Sequence, residues 1–519
     1  MTSTKSFSVT VALAFTLNYI IGTGFLTLPW SFNEAGWVLG AMTLLIMTVF
    51  SIFSANMLVE TMARADASFR LLHGSASQDE LCIDNELHSS VEWNGYQSII
   101  KKYKDDKSKT KFNIGRLDGS YDEYDEHIDD IDEDDLNSIR ISKDNRVTGT
   151  KLCIVGDRKF EIPELCEMFL GVRGRDAYMI TIVLYLYGTL WAYSTVFSTA
   201  LSSYIPFSNS YIWYLILFSL FVIPISLLDL TEQILVQVSL SFCRIIMIVL
   251  MVYTILDAEI NQRNDFSNFV HNYDTTSPTN WFRLSKLHVL LPIAAFANIF
   301  HHAIPGLAQP IKDKSKVPEV FKITLLICYV SYTFIGCIIS RYFGVNTCVS
   351  ANLNWKYYEG NVENGDDFNP SIFVKATVFF IVLFPAIDVS SAFPLNAVTL
   401  GDSLMSSFYG AKVHEIENIR PVKILFRLFA AVPPIAAATM NLHLGTITDF
   451  TGLAGFAIAF IFPALLAQSS EKFFRDKNLN PYTYYSSWMT RKEIQLLTLV
   501  FGIVLVIYVI ASFVIFGTP

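Results

Sequence analysis

Long apolar stretches alternate with shorter polar ones along most of the chain. A helix needs about 20 apolar residues to cross a hydrocarbon core of about 30 Å, and eleven stretches of roughly that length occur. They cover residues 7–32, 38–62, 177–204, 211–228, 233–256, 287–309, 321–343, 372–399, 424–442, 447–468 and 494–516. The pattern predicts an all-α integral membrane protein with about 11 transmembrane helices. The first run is too long for a signal peptide, and no cleavage site of small residues follows it.

One long polar segment, residues 63–175, separates the second and third apolar stretches. More than half of residues 118–136, "DGSYDEYDEHIDDIDEDDL", are Asp or Glu, a composition that repels itself and cannot bury a core. We therefore expect a largely disordered, acidic cytoplasmic loop that offers a surface to a cytoplasmic protein partner. The apolar spacing near residues 160–170 predicts a short amphipathic helix at its end. The chain thus divides into residues 1–62, 63–175 and 176–519.

Composition and charge agree with a membrane protein and predict its orientation. Hydrophobic residues make up 52% and charged residues 16% of the chain, whereas about 25% charged is ordinary for soluble proteins. Lys and Arg concentrate in cytoplasmic loops. A cytoplasmic amino terminus places on the inside Lys5, Lys312, Lys314, Lys316, Lys412, Arg420, Lys423, Lys472, Arg475, Lys477, Arg491 and Lys492, and on the opposite side only Arg263, Arg283, Lys286 and Lys356. The carboxyl terminus is then outside or luminal, in a plasma membrane or a vacuolar or lysosomal membrane.

Two of the apolar stretches contain residues that interrupt a helix. The first carries Gly22, Thr23 and Gly24 about halfway along, and the sixth carries His301 and His302 followed by a Pro-Gly pair. Irregular backbone survives at membrane depth only where it lines a cavity or is buried in protein. Breaks five helices apart are typical of transporters built from two inverted repeats, with substrate held at the midplane. The alternative is that the glycines only allow a neighbouring helix to pack closely and that the Pro-Gly pair only kinks its helix, as both often do in membrane proteins.

Several stretches resemble the amino acid/auxin permease family of the amino acid–polyamine–organocation superfamily. They are "LNYIIGTGFLTLPWSFNEAGWVLGAMTLLI" for the first two helices, "FANIFHHAIPGLAQPIKDKSKVPEVFK" for the sixth, "FPAIDVSSAFPLNAVTLGDSL" for the eighth and "LFRLFAAVPPIAAATMNLHLGTITDFTGLAGFAIAFIFPALL" for the ninth and tenth. The sequence of the eighth to tenth helices is similar to that of a poorly characterised branch of the family. The resemblance covers nearly the whole chain except residues 63–162.

The resemblance implies a LeuT-type fold of eleven helices, with a 5+5 inverted repeat and one extra helix. It implies amino acid transport by alternating access, coupled to protons or sodium, with no other cofactor. Residues 22–24 match the family's unwound substrate contact, and Asn18 matches an asparagine near the coupling cation of some sodium-dependent members. In the eighth helix Asp388 lies close to where hydroxyl ligands are expected, with Ser390 and Ser391 following.

Charged residues within membrane segments are costly and become functional candidates. Asp388 lies inside the eighth stretch and Arg244 about midway along the fifth, so we hypothesise an ion pair beside the central site that replaces or competes with a bound sodium ion. A static interior ion pair is the alternative. His301 or His302 would be a second titratable group suited to pH 5 to 8, and Gly306 completes the substrate-binding set.

Two other acidic residues are expected at the membrane interfaces. Glu60 lies near the inner end of the second stretch and Asp449 near the outer end of the tenth.

No HExxH, GxSxG or Walker motif is present, so an enzyme is not expected, and nothing indicates a nucleic-acid partner. The alternative to a transporter is a membrane amino acid sensor that signals through its long acidic loop with little transport.

Overall fold

The chain crosses the membrane many times as helices. The computed structural model describes residues 8–22, 24–72, 153–156, 160–227, 234–261, 266, 281–360, 371–409, 419–477 and 479–516. Within these residues eight helices are long and apolar enough to span a membrane. They are Trp37–Arg70, Ile162–Tyr204, Leu284–Ala308, Lys314–Asn346, Ile372–Tyr409, Arg420–Ala438, Leu444–Asp476 and Lys492–Ile515. The all-helical membrane architecture is confirmed, whereas the exact number of spans stays a prediction.

The first apolar stretch forms two helices instead of one. Helix α1 (Val9–Ile20) starts at Ser8, whose side chain accepts a hydrogen bond from the Val11 N–H, and it ends where Ile21 leaves helical geometry with a ψ of 75°. Helix α2 (Gly24–Ala35) follows and ends at Gly36, whose φ of 93° suits glycine. The predicted interruption of this stretch is therefore confirmed.

The sixth stretch is interrupted in a similar way. We number the helices consecutively, so that helix α7 (Leu287–Asn298) ends where Ile299 adopts an extended conformation. A single 3₁₀ turn, His301–Ala303, then leads into the short helix α8 (Ile304–Ala308), whose first turn contains Pro305. Proline fits there because the first helical N–H groups have no partner within the helix.

Several of the remaining helices are longer than predicted. The whole set comprises α3 (Trp37–Leu72), α4 (Ile162–Tyr204), α5 (Ser210–Ser226), α6 (Ile234–Ile260), α9 (Val317–Phe343), α10 (Ile372–Tyr409), α11 (Arg420–Ala438), α12 (Leu444–Phe456), α13 (Phe462–Asp476) and α14 (Lys492–Phe516). Helix α3 continues past the predicted end at Met62. Helix α4 includes the predicted amphipathic segment and breaks at Gly171, whose φ is 77°. A π-helical turn, Ala457–Ile461, joins α12 to α13.

Two kinds of apolar surface explain the arrangement. One large buried cluster joins the two interrupted stretches to α3, α4, α9, α10 and α12. Outward-facing side chains on peripheral helices are large and exposed, for example Leu220 on α5, Val330 on α9 and Val514 on α14. Because lipid is as apolar as these side chains, such surfaces are expected to contact the bilayer. The acidic segment, residues 118–136, lies outside the described residues.

Candidate functional site

The two interrupted stretches meet at their breaks. Gly24, the first residue of α2, packs against α7 so closely that a Cβ atom there would lie 2.8 Å from the Ala297 Cα. The buried Tyr332 of α9 places its hydroxyl 3.2 Å from the Ile20 carbonyl oxygen and 3.2 Å from the Ala297 carbonyl oxygen. One hydroxyl therefore serves the last turns of both α1 and α7, since its proton is shared between the two acceptors.

The polarity of this junction follows from the helix ends. Helices α1 and α7 both end here, and the last carbonyl groups of a helix carry a partial negative charge. Helix α2 begins here at Gly24, and the first N–H groups of a helix carry partial positive charge. The junction can therefore attract both a cation and an anion, as a zwitterion requires.

Aromatic side chains surround one side of the junction. The Tyr19 hydroxyl lies 2.9 Å from the His302 Nε2, and the His302 ring lies 5.3 Å from the Tyr185 ring, centroid to centroid. Beside the α1 break, a Cβ atom on Gly22 would lie 3.8 Å from the Tyr193 hydroxyl oxygen. The region beside Gly22 is thus open enough for a methyl group, unlike the region beside Gly24.

The two adjacent histidines face different helices. His301 is fully buried, and its Nε2 lies 2.8 Å from the Ser54 hydroxyl oxygen on α3. His302 instead bonds Tyr19 on α1. The structure therefore ties His301 to the helix that packs behind the break, whereas His302 lies among the tyrosines beside it.

Arg244 and Asp388 are brought together as a buried pair. The Arg244 Nη2 donates to both carboxylate oxygens of Asp388, at 2.6 and 2.7 Å. Both side chains are largely shielded from solvent, at 6% and 8% exposure. Ser390 and Ser391 follow on α10, but their hydroxyls donate to the carbonyl oxygens of Ala386 and Asp388 within the same helix.

The other predicted site residues are placed less directly. Asn18 lies in α1, and its side chain is outside the described part of the structure; Thr23 is outside it altogether. Gly306 is an exposed residue of α8. Four residues of the junction were not predicted, namely Tyr19, Tyr185, Tyr193 and Tyr332. A hydroxyl in an apolar run was the only signal for them in the sequence.

The two acidic residues expected at the membrane interfaces are both buried within the protein, while their depth in the membrane stays a prediction. Glu60 is 2% exposed and accepts hydrogen bonds from Arg64, at 2.7 Å, and from the Ser486 hydroxyl. Asp449 is 0% exposed. The reason is packing: the loop before α14 folds back over α3 beside Glu60, and α12 is enclosed by α4 and α7.

A second network of hydrogen bonds connects α3, α13 and the loop before α14 on the side of the protein that we expect to be cytoplasmic. The Arg64 guanidinium also donates to the Pro481 carbonyl oxygen at 2.9 Å and to the Ser470 hydroxyl at 3.0 Å. In the same loop the Tyr485 hydroxyl donates to the Lys314 carbonyl oxygen at 2.9 Å. Burial raises the pKa of Tyr485, so this hydroxyl stays protonated and able to donate. The loop is thereby tied both to α3 and to the segment that follows α8.

A separate cavity lies away from the junction. It measures about 250 Å³ and is lined by apolar residues of α5 and α11, including Ile212, Ile216 and Val432. The sequence-predicted site residues are not part of its lining. Among the described residues, no three His, Cys, Asp or Glu side chains are grouped closely enough to hold a metal ion.

Comparison with known proteins supports the class that this geometry indicates, a multi-pass membrane transporter. Residues 5–72, which include α1, α2 and α3, match the family model described as "Transmembrane amino acid transporter protein". The match covers the first break and its flanking helices, which lie at the junction.

Similar full-length relatives carry a name without a stated activity. The chain is 24% identical to Transmembrane protein 104 homolog of Dictyostelium discoideum over 481 residues, which are 90% of this chain and 89% of that protein. It is 22% identical to Transmembrane protein 104 of Homo sapiens, over 89% of this chain and 87% of that protein. A solved Eremococcus coleocola manganese transporter covers 98% of this chain at 12% identity, and 88% of that chain is covered. Its TM-score of 0.43 is too low to assign a fold or a cargo to this chain.

Proposed function

We propose that this protein is a secondary active transporter that moves amino acids across a membrane by alternating access. The observation that carries the proposal is the junction of the two breaks, where Tyr332 bonds the ends of α1 and α7 and Gly24 packs on Ala297. Helix ends of both polarities converge there, which suits the ammonium and carboxylate groups of an amino acid. The family match over residues 5–72 supports the same class.

The proposed substrate has a neutral side chain. Arg244 and Asp388 balance each other beside the junction, and the groups that line its other side are Tyr19, Tyr185 and His302. A charged substrate side chain would need an opposite charge, because an uncompensated charge is expensive to bury. Aromatic walls instead favour an uncharged, apolar or hydrogen-bonding side chain.

The proposed coupling ion is the proton. The guanidinium of Arg244 already neutralises Asp388, so a sodium ion at this place would have to compete with a fixed positive charge. In this arrangement the ion pair takes the structural place that a bound sodium ion would fill.

Uptake into proteoliposomes tests the proposal. Purified full-length protein is given a panel of labelled neutral, acidic, basic and imino acids, with an imposed proton gradient or an imposed sodium gradient. We expect accumulation of neutral amino acids that follows the proton gradient. Acceleration by sodium alone would reject proton coupling, and binding without accumulation would favour a sensor. The absence of both binding and uptake across the panel would reject the amino acid assignment.

A further inference from the structure

Asp449, on α12, differs from the other buried carboxylates of the described residues. Glu60, Asp66, Asp388 and Glu471 each form an ion pair with an arginine. Asp449 is 0% exposed, and neither of its carboxylate oxygens has a hydrogen-bond partner among the residues that the structure describes. An unpaired, fully buried carboxylate ion costs several kcal/mol, so this position favours the neutral acid.

The local helix does not supply the missing partners. Thr448 and Thr451, on either side of Asp449, donate their hydroxyls to carbonyl oxygens of α12 itself, at 3.0 Å to Leu444 and 2.7 Å to Ile447. Helix α12 begins at Leu444, yet the carboxylate accepts none of its free N–H groups. Neither hydroxyl contacts nor helix capping therefore stabilises a negative charge here.

The position of Asp449 on α12 connects it to the two interrupted stretches. Residues three or four apart share a helix face, so Asp449 lies on the face that also holds Gly445 and Gly452. A Cβ atom on Gly445 would lie 3.0 Å from the Trp30 ring of α2, and one on Gly452 would lie 2.2 Å from the Pro292 carbonyl oxygen of α7. The carboxyl group is thus on the face that packs against both helices of the junction.

The titratable groups on the neighbouring helices have other partners. On α2, Glu34 forms an ion pair with Lys286 at 3.3 Å. On α7, the His288 Nδ1 lies 3.0 Å from the Ser285 carbonyl oxygen. On α4, the Tyr185 ring packs beside His302, and α14 meets α12 through Phe513 and Phe450. The hydrogen bonds of these groups do not involve Asp449, so its charge would be uncompensated.

We propose that Asp449 is a proton-binding site that couples the packing of α12 to the proton gradient. In the closely packed state its carboxyl group holds a proton. When α12 separates from α2 and α7, water reaches the group, the O–H bond breaks, and the proton passes to water and leaves a solvated carboxylate. The coupling role rests on the proposed transport function, but the bound proton can be detected without transport.

Infrared difference spectroscopy of the full-length protein in lipid vesicles tests proton binding directly. We expect a carbonyl stretch of a protonated carboxylic acid that disappears at alkaline pH and is missing in Asp449→Asn. The double variant Arg244→Met with Asp388→Asn removes another buried carboxyl group without leaving its arginine unpaired, and it should retain this band. A spectrum unchanged by Asp449→Asn, or a band that persists at every pH at which the protein stays folded, would overturn the proposal.

Uptake assays test the coupling role. For each variant the gradient-driven uptake is divided by the exchange of labelled for unlabelled amino acid, so that the amount of folded protein cancels. We expect this ratio in Asp449→Asn to fall to the wild-type value measured without a gradient. Thr448→Val, an isosteric change beside it, should keep the wild-type ratio. An unchanged ratio in Asp449→Asn would reject the coupling role.

Two further outcomes separate this inference from the proposed function. If the wild-type protein transports no amino acid, the proposed function fails, while the infrared band still decides whether Asp449 holds a proton. If Asp449→Asn does not fold, wild-type protein is treated with a hydrophobic carbodiimide, which modifies protonated carboxyl groups. Modification of Asp449 that decreases as pH rises would support the site, and no modification at acidic pH would reject it.

Discussion

A single nitrogen of Arg244 donates to both carboxylate oxygens of Asp388, at 2.6 and 2.7 Å, and so joins α6 to α10 inside the protein. Removal of one partner from a buried ion pair leaves an uncompensated charge, which costs about 3–5 kcal/mol. The pair therefore stabilises the packing of α6 against α10, and its loss should affect folding as well as transport.

Asp388→Asn should be strongly destabilising, and a second change should restore much of the loss. The asparagine leaves the Arg244 guanidinium buried without its counter-ion, whereas the double variant Arg244→Met with Asp388→Asn buries no unpaired charge from this pair. We expect thermal unfolding in detergent to be shifted down most in the single variant and less in the double variant. Equal destabilisation in both would show that charge balance is not the main contribution of the pair.

Tyr332→Phe should weaken the junction of the two breaks. The change deletes the one hydroxyl that lies 3.2 Å from both the Ile20 and Ala297 carbonyl oxygens, and leaving buried acceptors unsatisfied costs about 1–3 kcal/mol. We expect lower stability and slower uptake. Tyr329→Phe, one turn away and only half-buried, is the matched control and should behave as wild type. Similar losses in both variants would point to a general effect on α9.

The contrast between these residues and the interrupted stretches shows what the sequence could predict. Gly and Pro often mark helix breaks, and charges in apolar runs are conspicuous, so residues 22–24 and Asp388 could be singled out from composition and position. Tyr332 could not be singled out, because the sequence around a tyrosine in an apolar helix does not tell whether its side chain faces lipid or the end of another helix. The burial of Asp449 could not be predicted either, because it depends on which helices surround the start of α12, which is a property of tertiary packing.

Two glycines of the first break should respond differently to alanine. At Gly24 the new Cβ would lie 2.8 Å from the Ala297 Cα, a backbone atom that cannot move away without shifting α7. At Gly22 the nearest heavy atom would be the Tyr193 hydroxyl oxygen, at an ordinary contact distance of 3.8 Å. Overpacking typically costs about 1–3 kcal/mol, so Gly24→Ala should unfold at a clearly lower temperature than Gly22→Ala. Equal unfolding temperatures would contradict the close approach of α2 and α7.

Cys348 provides a test of the predicted orientation. It follows α9 in a segment expected to face outside or the lumen, and it is partly exposed. Burial raises the pKa of its thiol to about 11, so the reactive thiolate is scarce at neutral pH. The thiolate fraction should rise about tenfold per pH unit below that pKa, and the labelling rate with it.

In intact cells, a membrane-impermeant maleimide should label the wild-type protein if it resides in the plasma membrane, slowly at neutral pH and faster as the pH rises. Cys348→Ser should lose this external labelling while labelling of other cysteines after permeabilisation persists. For a protein of an internal membrane, the same comparison is made with sealed organelles and after they are opened. Labelling of Cys348 from the cytoplasmic side would reverse the orientation, because the segment between α9 and α10 would then face the cytoplasm. The amino terminus, separated from that segment by seven of the predicted spans, would then lie on the opposite side.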